Sequence, residues 1–218
     1  MSETTTPTTQ SRDDETRTAR KRRAILDAAT TLFLREGYLA TSMDQIAAAA
    51  SVSKQTIYKQ FADKPSLFRE MVTGTVVEVI DPIAEQVASL RDSTDLAADL
   101  QRLARALLAR VIQPRVMQLR RLVIGEAGRF PELGRLFYDG GPGRTIDVLA
   151  ATFESLATRG TLQLQDPRLA AEHFNWLVMS IPLNRVMLCG DAELPAQADI
   201  DRYADAGAQA FLAAYGAK

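Results

Sequence analysis

The stretch "SVSKQTIYKQF", Ser51–Phe61, decides how the rest of the chain is read. Ser53 is an N-cap residue, so a short helix starts at Lys54. Val52, Ile57 and Phe61 form its apolar underside, and Ser53, Lys54, Gln55, Thr56, Tyr58 and Lys59 are left facing outward. That face is polar, carries two ammonium groups, and suits a polar, anionic surface. The major groove of double-stranded DNA is one: it admits a single α-helix, lysine can donate to guanine there, and glutamine can pair with adenine.

The flanking sequence supplies the props. In "TSMDQIAAAA", Thr41–Ala50, Ser42 caps a second helix, and Gln45, three residues on, completes a capping box. Ile46, Ala47 and Ala50 face inward, and their small size permits close approach of the next helix. Further upstream, Ile25, Ala28, Ala29, Leu32 and Phe33 form one apolar stripe, and Gly37 supplies the stop. Downstream, Asp63 caps a helix with Pro65 in its first turn and Leu67, Phe68, Met71 and Val72 inside. Residues 20–63 therefore read as three helices, the last two short and joined by a turn at Ser51-Val52. Hydroxyls of Thr41, Ser42 and Tyr58 are candidate phosphate contacts that fix register, and the helix starts at Ser42 and Asp63 offer free N–H groups, with Lys64 adding charge at the latter. The run Arg20–Arg23 can reach a neighbouring phosphate or the minor groove.

Charge distribution supports an anionic partner despite a net charge of −1. Residues 17–64 hold nine Lys or Arg against four acids, whereas residues 65–218 hold sixteen against nineteen. Residues 1–16 are rich in Thr, Ser and acids without an apolar period and are expected to be a disordered lead-in. The single cysteine, Cys189, excludes an internal disulfide, and with a single histidine, His173, it forms no zinc cluster. No cofactor is expected. With no apolar run near the roughly 18 residues that span a bilayer and no signal-peptide order, the expectation is a cytoplasmic protein without membrane association.

Past Pro82 the helical period continues. Leu96, Leu100, Leu103, Leu107 and Leu108 mark one helix, Val116 to Phe130 another, and Ile146 to Ala157 a third that stops at Gly160. Asp166-Pro167 starts a helix to about Val186, which Pro182 is expected to bend, and Pro195 opens the last. Sustained two-residue alternation is absent, so the fold class is all-α.

The segment "GYLATSMDQIAAAASVSKQTIYKQFADKPSLF" resembles the N-terminal helix-turn-helix DNA-binding domain of the TetR family of bacterial regulators. Matching positions include Gly37, Tyr38, Thr41, Ser42, Ile46, Ala47, Val52, Ser53, Thr56, Ile57, Tyr58, Phe61, Lys64 and Leu67, and the resemblance covers roughly residues 20–68. Two positions depart. Ser51 stands where the family usually has glycine, which suits a turn that avoids positive φ, and Gln60 stands where it usually has histidine or tyrosine, losing an aromatic phosphate contact but keeping a donor. "RLVIGEAGRFPELGRLFYDGGPGRTIDVL" and the segment ending "NWLVMSIPLNRVMLCG" are similar to the C-terminal domain of the AefR-like subgroup. The expected organisation is a lead-in over 1–16, a DNA-binding domain over 17–68, and a helical ligand-binding and dimerisation domain over 69–218.

The resemblance implies a ligand-responsive repressor that binds a palindromic operator as a homodimer, paired through C-terminal helices, and leaves it when a small hydrophobic or amphipathic effector enters an internal pocket. Between Leu169 and Val186 apolar residues fall on more than one face, as a helix serving both pocket and dimer seam would require. Met117, Phe137, Tyr138, Trp176 and Met179 are candidates for the pocket wall or for plain core packing. Arg120, Glu126 and His173 are candidates to orient a ligand or to serve satisfied core or surface roles. Rival readings are a helical protein-binding adaptor, a ligand-dependent activator, and an enzyme. "DGGPGRT", Asp139–Thr145, invites a phosphate-loop reading, but it lacks the Gly-Lys-Ser/Thr ending and a preceding strand, so a loop between helices is expected there.

Overall fold

Ile25, Ala29, Leu32 and Phe33 are buried along one side of α1 (Thr9–Glu36) in a computed structural model that describes residues 9–217, with side chains from residue 17 onward. α1 as described begins at Thr9, within the 1–16 stretch expected to be a lead-in, and residues 1–8 of that stretch lie outside the described residues. Once a helix is nucleated, each added residue needs only one more hydrogen bond, so a polar segment without a core face of its own extends it.

The chain divides into two compact units, one ending at Met71 and the other starting at Val72. In the first, Gly37 at φ +86° ends α1, its N–H reaching Phe33 O at 3.0 Å. Phe33, Tyr38 and Phe68 pack as a cluster with centroids 4.9–5.7 Å apart. α2 (Met43–Ala49) starts with the expected capping box: Ser42 Oγ accepts from Gln45 N, and Gln45 Oε1 accepts from Ser42 N at 2.7 Å. Ile46 and Ala47 are buried against the following turn, and α3 (Lys54–Gln60) rests on fully buried Ile57, with Phe61 beneath its end. α4 (Lys64–Ser89) is continuous through Pro82 into the second unit.

The turn between α2 and α3 departs from expectation. Ser51 has φ +54°, in the left-handed region, while its N–H bonds to Ala48 O and the next N–H, of Val52, bonds to Ala47 O at 3.0 Å. Those two bonds hold a conformation in which a Cβ crowds the carbonyl.

In the second unit, α4 leads through a 3₁₀ turn, Leu90–Asp92, to α5 (Leu96–Val111), α6 (Pro114–Glu126), α7 (Pro131–Tyr138), α8 (Arg144–Thr158), α9 (Pro167–Cys189) and α10 (Gln197–Tyr215). Phe153, Phe174 and Phe211, from α8, α9 and α10, meet at 4.9–5.8 Å in the core. The guanidinium of Arg105 on α5 holds both carboxylate oxygens of Asp205 on α10. Gly207 lets α10 approach α9 closely, since a Cβ there would lie 3.0 Å from the Leu177 backbone. Asp139–Gly143 is not a loop but a π-helical turn joining α7 to α8. A Cβ at Gly143 would stand 3.0 Å from Tyr138 O, and one at Gly140 3.3 Å from Val76, so the glycines let this wide turn pack. Among the described residues the sole extended pairing is one bridge, Leu162 with Gly216, and no helix is long and apolar enough to cross a membrane.

Replacing Ser51 with glycine relieves the crowded Cβ and is expected to raise unfolding stability by roughly 0.5–1 kcal/mol, net of the added chain entropy. Urea unfolding of Ser51→Gly beside the parent measures it, and a loss of stability would show that the serine side chain has a role that outweighs the strain.

Candidate nucleic-acid interface and internal cavity

Ser53 Oγ accepts from Thr56 N at 3.1 Å and lies 2.8 Å from Thr56 Oγ1, closing the first turn of α3. With Ile57 facing the core, the opposite side presents Gln55, Thr56, Tyr58 and Lys59 around a shallow depression. Tyr58 is 45% exposed. Gln60 is half-buried, and its carbonyl accepts from Arg22 Nη1 at 3.0 Å.

Arg22 is a prop. Its guanidinium lies 4.4 Å over the Phe61 ring and pairs with Glu70, so of the basic run it is Arg20, Lys21 and Arg23 that remain exposed. Thr41 also moves off the candidate surface, being buried with its hydroxyl donating to Gly37 O at 2.9 Å. Ser42 stays exposed, but its hydroxyl is engaged in the capping box. Lys64 extends over the Tyr38 ring, with Nζ 4.4 Å from the centroid, and donates to Leu39 O.

Lys54 has a partner that the sequence did not disclose. Its ammonium donates to Asp44 on α2 at 3.0 Å, and that carboxylate raises the lysine pKa above its ordinary value. Both groups are well exposed, so the pair is weak and exchangeable.

In the second unit, α4, α6, α7, α8, α9 and the π-helical turn surround a largely apolar cavity. Of the eight residues considered for an effector, Arg120, Phe137, Trp176 and Met179 line it. Met117 is fully buried and does not line it. Tyr138 is 48% exposed outside the cavity, and His173 is exposed with Nδ1 2.5 Å from Tyr215 Oη. These three are corrections: facing within a helix is set by which neighbour packs where, and an apolar stripe does not distinguish core from cavity. Glu126 does not line it either. Asn175, Thr75, Thr145 and Gly141 line it unannounced. The last two lie in or beside the segment that resembled a phosphate loop. The cavity volume is about 40 Å³, room for a few waters. Burial pushes the Arg120 guanidinium below its ordinary pKa.

Residues 98–217 match the family model described as "AefR-like transcriptional repressor, C-terminal domain", and residues 25–71 match "Bacterial regulatory proteins, tetR family". A TetR-family transcriptional regulator from Mesorhizobium loti MAFF303099 is 42% identical, with 92% of this chain and 98% of that one aligned at a TM-score of 0.86. The flavonoid-responsive regulator FrrA is 32% identical over 91% of this chain and 98% of its own, at a TM-score of 0.70. The repressor KstR2 of Rhodococcus jostii RHA1 is 35% identical over 81 residues, 37% of this chain and 40% of that protein. The match to curated relatives thus spans well under half of their length.

Removing the Asp44 charge is expected to free Lys54 for DNA. Asp44→Asn should tighten binding to any duplex a few-fold and steepen the dependence of log K on log salt by up to about one. Lys54→Ala should instead cost about 1–3 kcal/mol on the best site and relax base discrimination. Fluorescence anisotropy at several salt concentrations reads both, and an Asp44→Asn protein with unchanged affinity and slope would mean that the ion pair does not compete with DNA.

Proposed function

The chain belongs to the TetR family of DNA-binding transcriptional regulators, a family of non-enzymatic proteins, and from that premise we propose that it is a repressor which binds a palindromic operator as a homodimer and is released by a small, largely apolar effector. The observation that carries the reading is α3: a short helix with its apolar side buried and Lys54, Gln55, Tyr58 and Lys59 outward. In this reading Lys54 and Gln55 meet base edges, Ser42, Ser53, Thr56, Tyr58, Lys59 and Gln60 lie near phosphates, and Lys64 adds charge beside them. The description of the matching C-terminal family favours repression.

A face of α9 supports the homodimer. Leu177, Ile181 and Leu188 recur along one side of the helix and are exposed, Leu188 by 83%. A stripe of that length costs free energy in water and gains it against an identical copy, and a twofold pairing uses the same patch on both chains. In that reading a twofold dimer would present its two α3 helices to successive major grooves about 34–36 Å apart, or at a spacing matched to the operator.

Effector response follows from α4. This one helix carries Asp63 and Lys64 at its start and Thr75, Val76, Val79 and Ile80 on the cavity wall. A ligand that fits the cavity in one setting of α4 and not in another shifts the balance between DNA-competent and released states. Going from nearly all bound to nearly all free takes about 5.5 kcal/mol of differential affinity. FrrA, whose name records response to a flavonoid, supports a small-molecule trigger.

Selection of duplexes from a random pool, followed by sedimentation of the complex, should return an inverted repeat bound by an even number of chains. Ile181→Asp should sediment as a monomer and lose at least about 100-fold in operator affinity, because each half-site then binds alone. Enrichment of no sequence by the folded parent would sink the repressor reading, and a dimeric Ile181→Asp protein would move the seam away from this face of α9.

A further inference from the structure

Most of the cavity wall is hydrocarbon, from Val76, Ile80 and Leu119 to Phe137, Met179 and Leu183. Two of the residues lining it each hold a buried polar atom without a partner: Arg120 Nε and Asn175 Oδ1 make no hydrogen bond. The Asn175 residue is 1% exposed, so its amide is not answered by bulk water. The recorded contact of the Arg120 guanidinium is the Phe137 ring, 5.2 Å from its centre. The next residue provides the comparison. Arg121 donates to Val186 O at 3.1 Å and to Asp191 at 2.5 Å, fully provided for by its own chain.

A guanidinium cannot escape burial by shedding its proton, and a partly desolvated charge without a counter-ion is costly. The folded chain therefore holds an unfavourable term that an incoming anion removes. The planar fork of arginine fits a carboxylate through two parallel N–H donors. With little free volume, a flat carboxylate on an apolar body also demands less widening than a tetrahedral polyanion. The orphan acceptor on Asn175 calls for a donor from the same molecule, such as a hydroxyl.

We propose that the cavity selects a carboxylic acid with an apolar body: its carboxylate on the Arg120 fork, a hydroxyl donating to Asn175 Oδ1, and its hydrocarbon against Val76, Phe137 and Met179. The proposal rests on the reading of the cavity as the effector site and narrows it from any apolar molecule to an acid.

Trp176, the one tryptophan of the chain, lines the cavity and reports occupancy by its fluorescence. The full chain is titrated with ω-hydroxyoctanoate, ω-hydroxyoctanamide and octanoate, whose flexible chains adapt to the spacing of the two anchors, and release of the selected operator is followed in parallel. The hydroxy acid is expected to bind about tenfold to a hundredfold more tightly than its amide, and more tightly than octanoate. Arg120→Met should bring the acid to the level of the amide and leave the amide unchanged. Arg120→Lys, which keeps the charge without the fork and serves if the first variant fails to fold, should lose several-fold for the acid alone. Equal binding of acid and amide, both perturbing Trp176 and both releasing DNA, overturns the acid inference while leaving the effector reading intact. No response of Trp176 or of DNA to any of the three overturns both.

Discussion

Helix α3 has seven residues, about two turns, and a helix of that length does not persist in water by its own hydrogen bonds. Everything the reading surface does depends on burial beneath it. Ile57 is fully enclosed, Phe61 lies under the Arg22 guanidinium, and Arg22 is held by Glu70 and the Gln60 carbonyl. The Ser53 cap closes the first turn, and the bonds around Ser51 fix the entry of the chain. Apart from Lys54, which pairs with Asp44, the exposed side chains Gln55, Tyr58 and Lys59 are carried on a base built by other residues.

The second unit is organised around a different problem, enclosing space without filling it. A core is normally packed to crystal-like density, and a gap survives only where larger neighbours hold its walls apart. Here the wide turn at Asp139–Gly143 supplies Gly141 and Pro142 to the wall, and its glycines allow close approach to Val76 and Tyr138. The Phe153, Phe174 and Phe211 cluster, by contrast, is dense, and Gly207 draws α10 onto α9 as closely as two backbones allow. One helix, α9, carries the aromatic core, Trp176 and Met179 at the cavity, and the exposed leucines.

How far the sequence discloses this follows from the range of each interaction. Caps and helix starts are local, so Ser42 with Gln45, Ser53 and Asp63 could be read directly, as could the props Ile57 and Phe61. What the sequence concealed depends on residues distant along the chain or on helix facing. Thr41 looks like a surface hydroxyl until its bond to Gly37 O is seen, and Arg22 looks like part of a basic run until Glu70 comes beside it. Phe137 and Trp176 carry size enough to betray a cavity wall, whereas Asn175 within a helix reads as a solvent-facing amide. Ser51 shows the opposite limit: its dihedral is set by the hydrogen bonds of its neighbours and overrides the preference of the residue type.

If Lys54 meets DNA as proposed, its pairing with Asp44 gives α3 a built-in stand-in for phosphate. Genomic DNA offers an enormous excess of wrong sites that differ little in backbone charge, and a regulator too fond of backbone is titrated away from its operator. A lysine that must surrender one carboxylate to gain one contact obtains little on an arbitrary duplex, where phosphate merely replaces Asp44. It obtains more where a guanine edge adds hydrogen-bond geometry that a carboxylate on a neighbouring helix lacks. In the proposed reading the acid on α2 would act on search as much as on binding, shortening the time spent on the wrong stretches of chromosome.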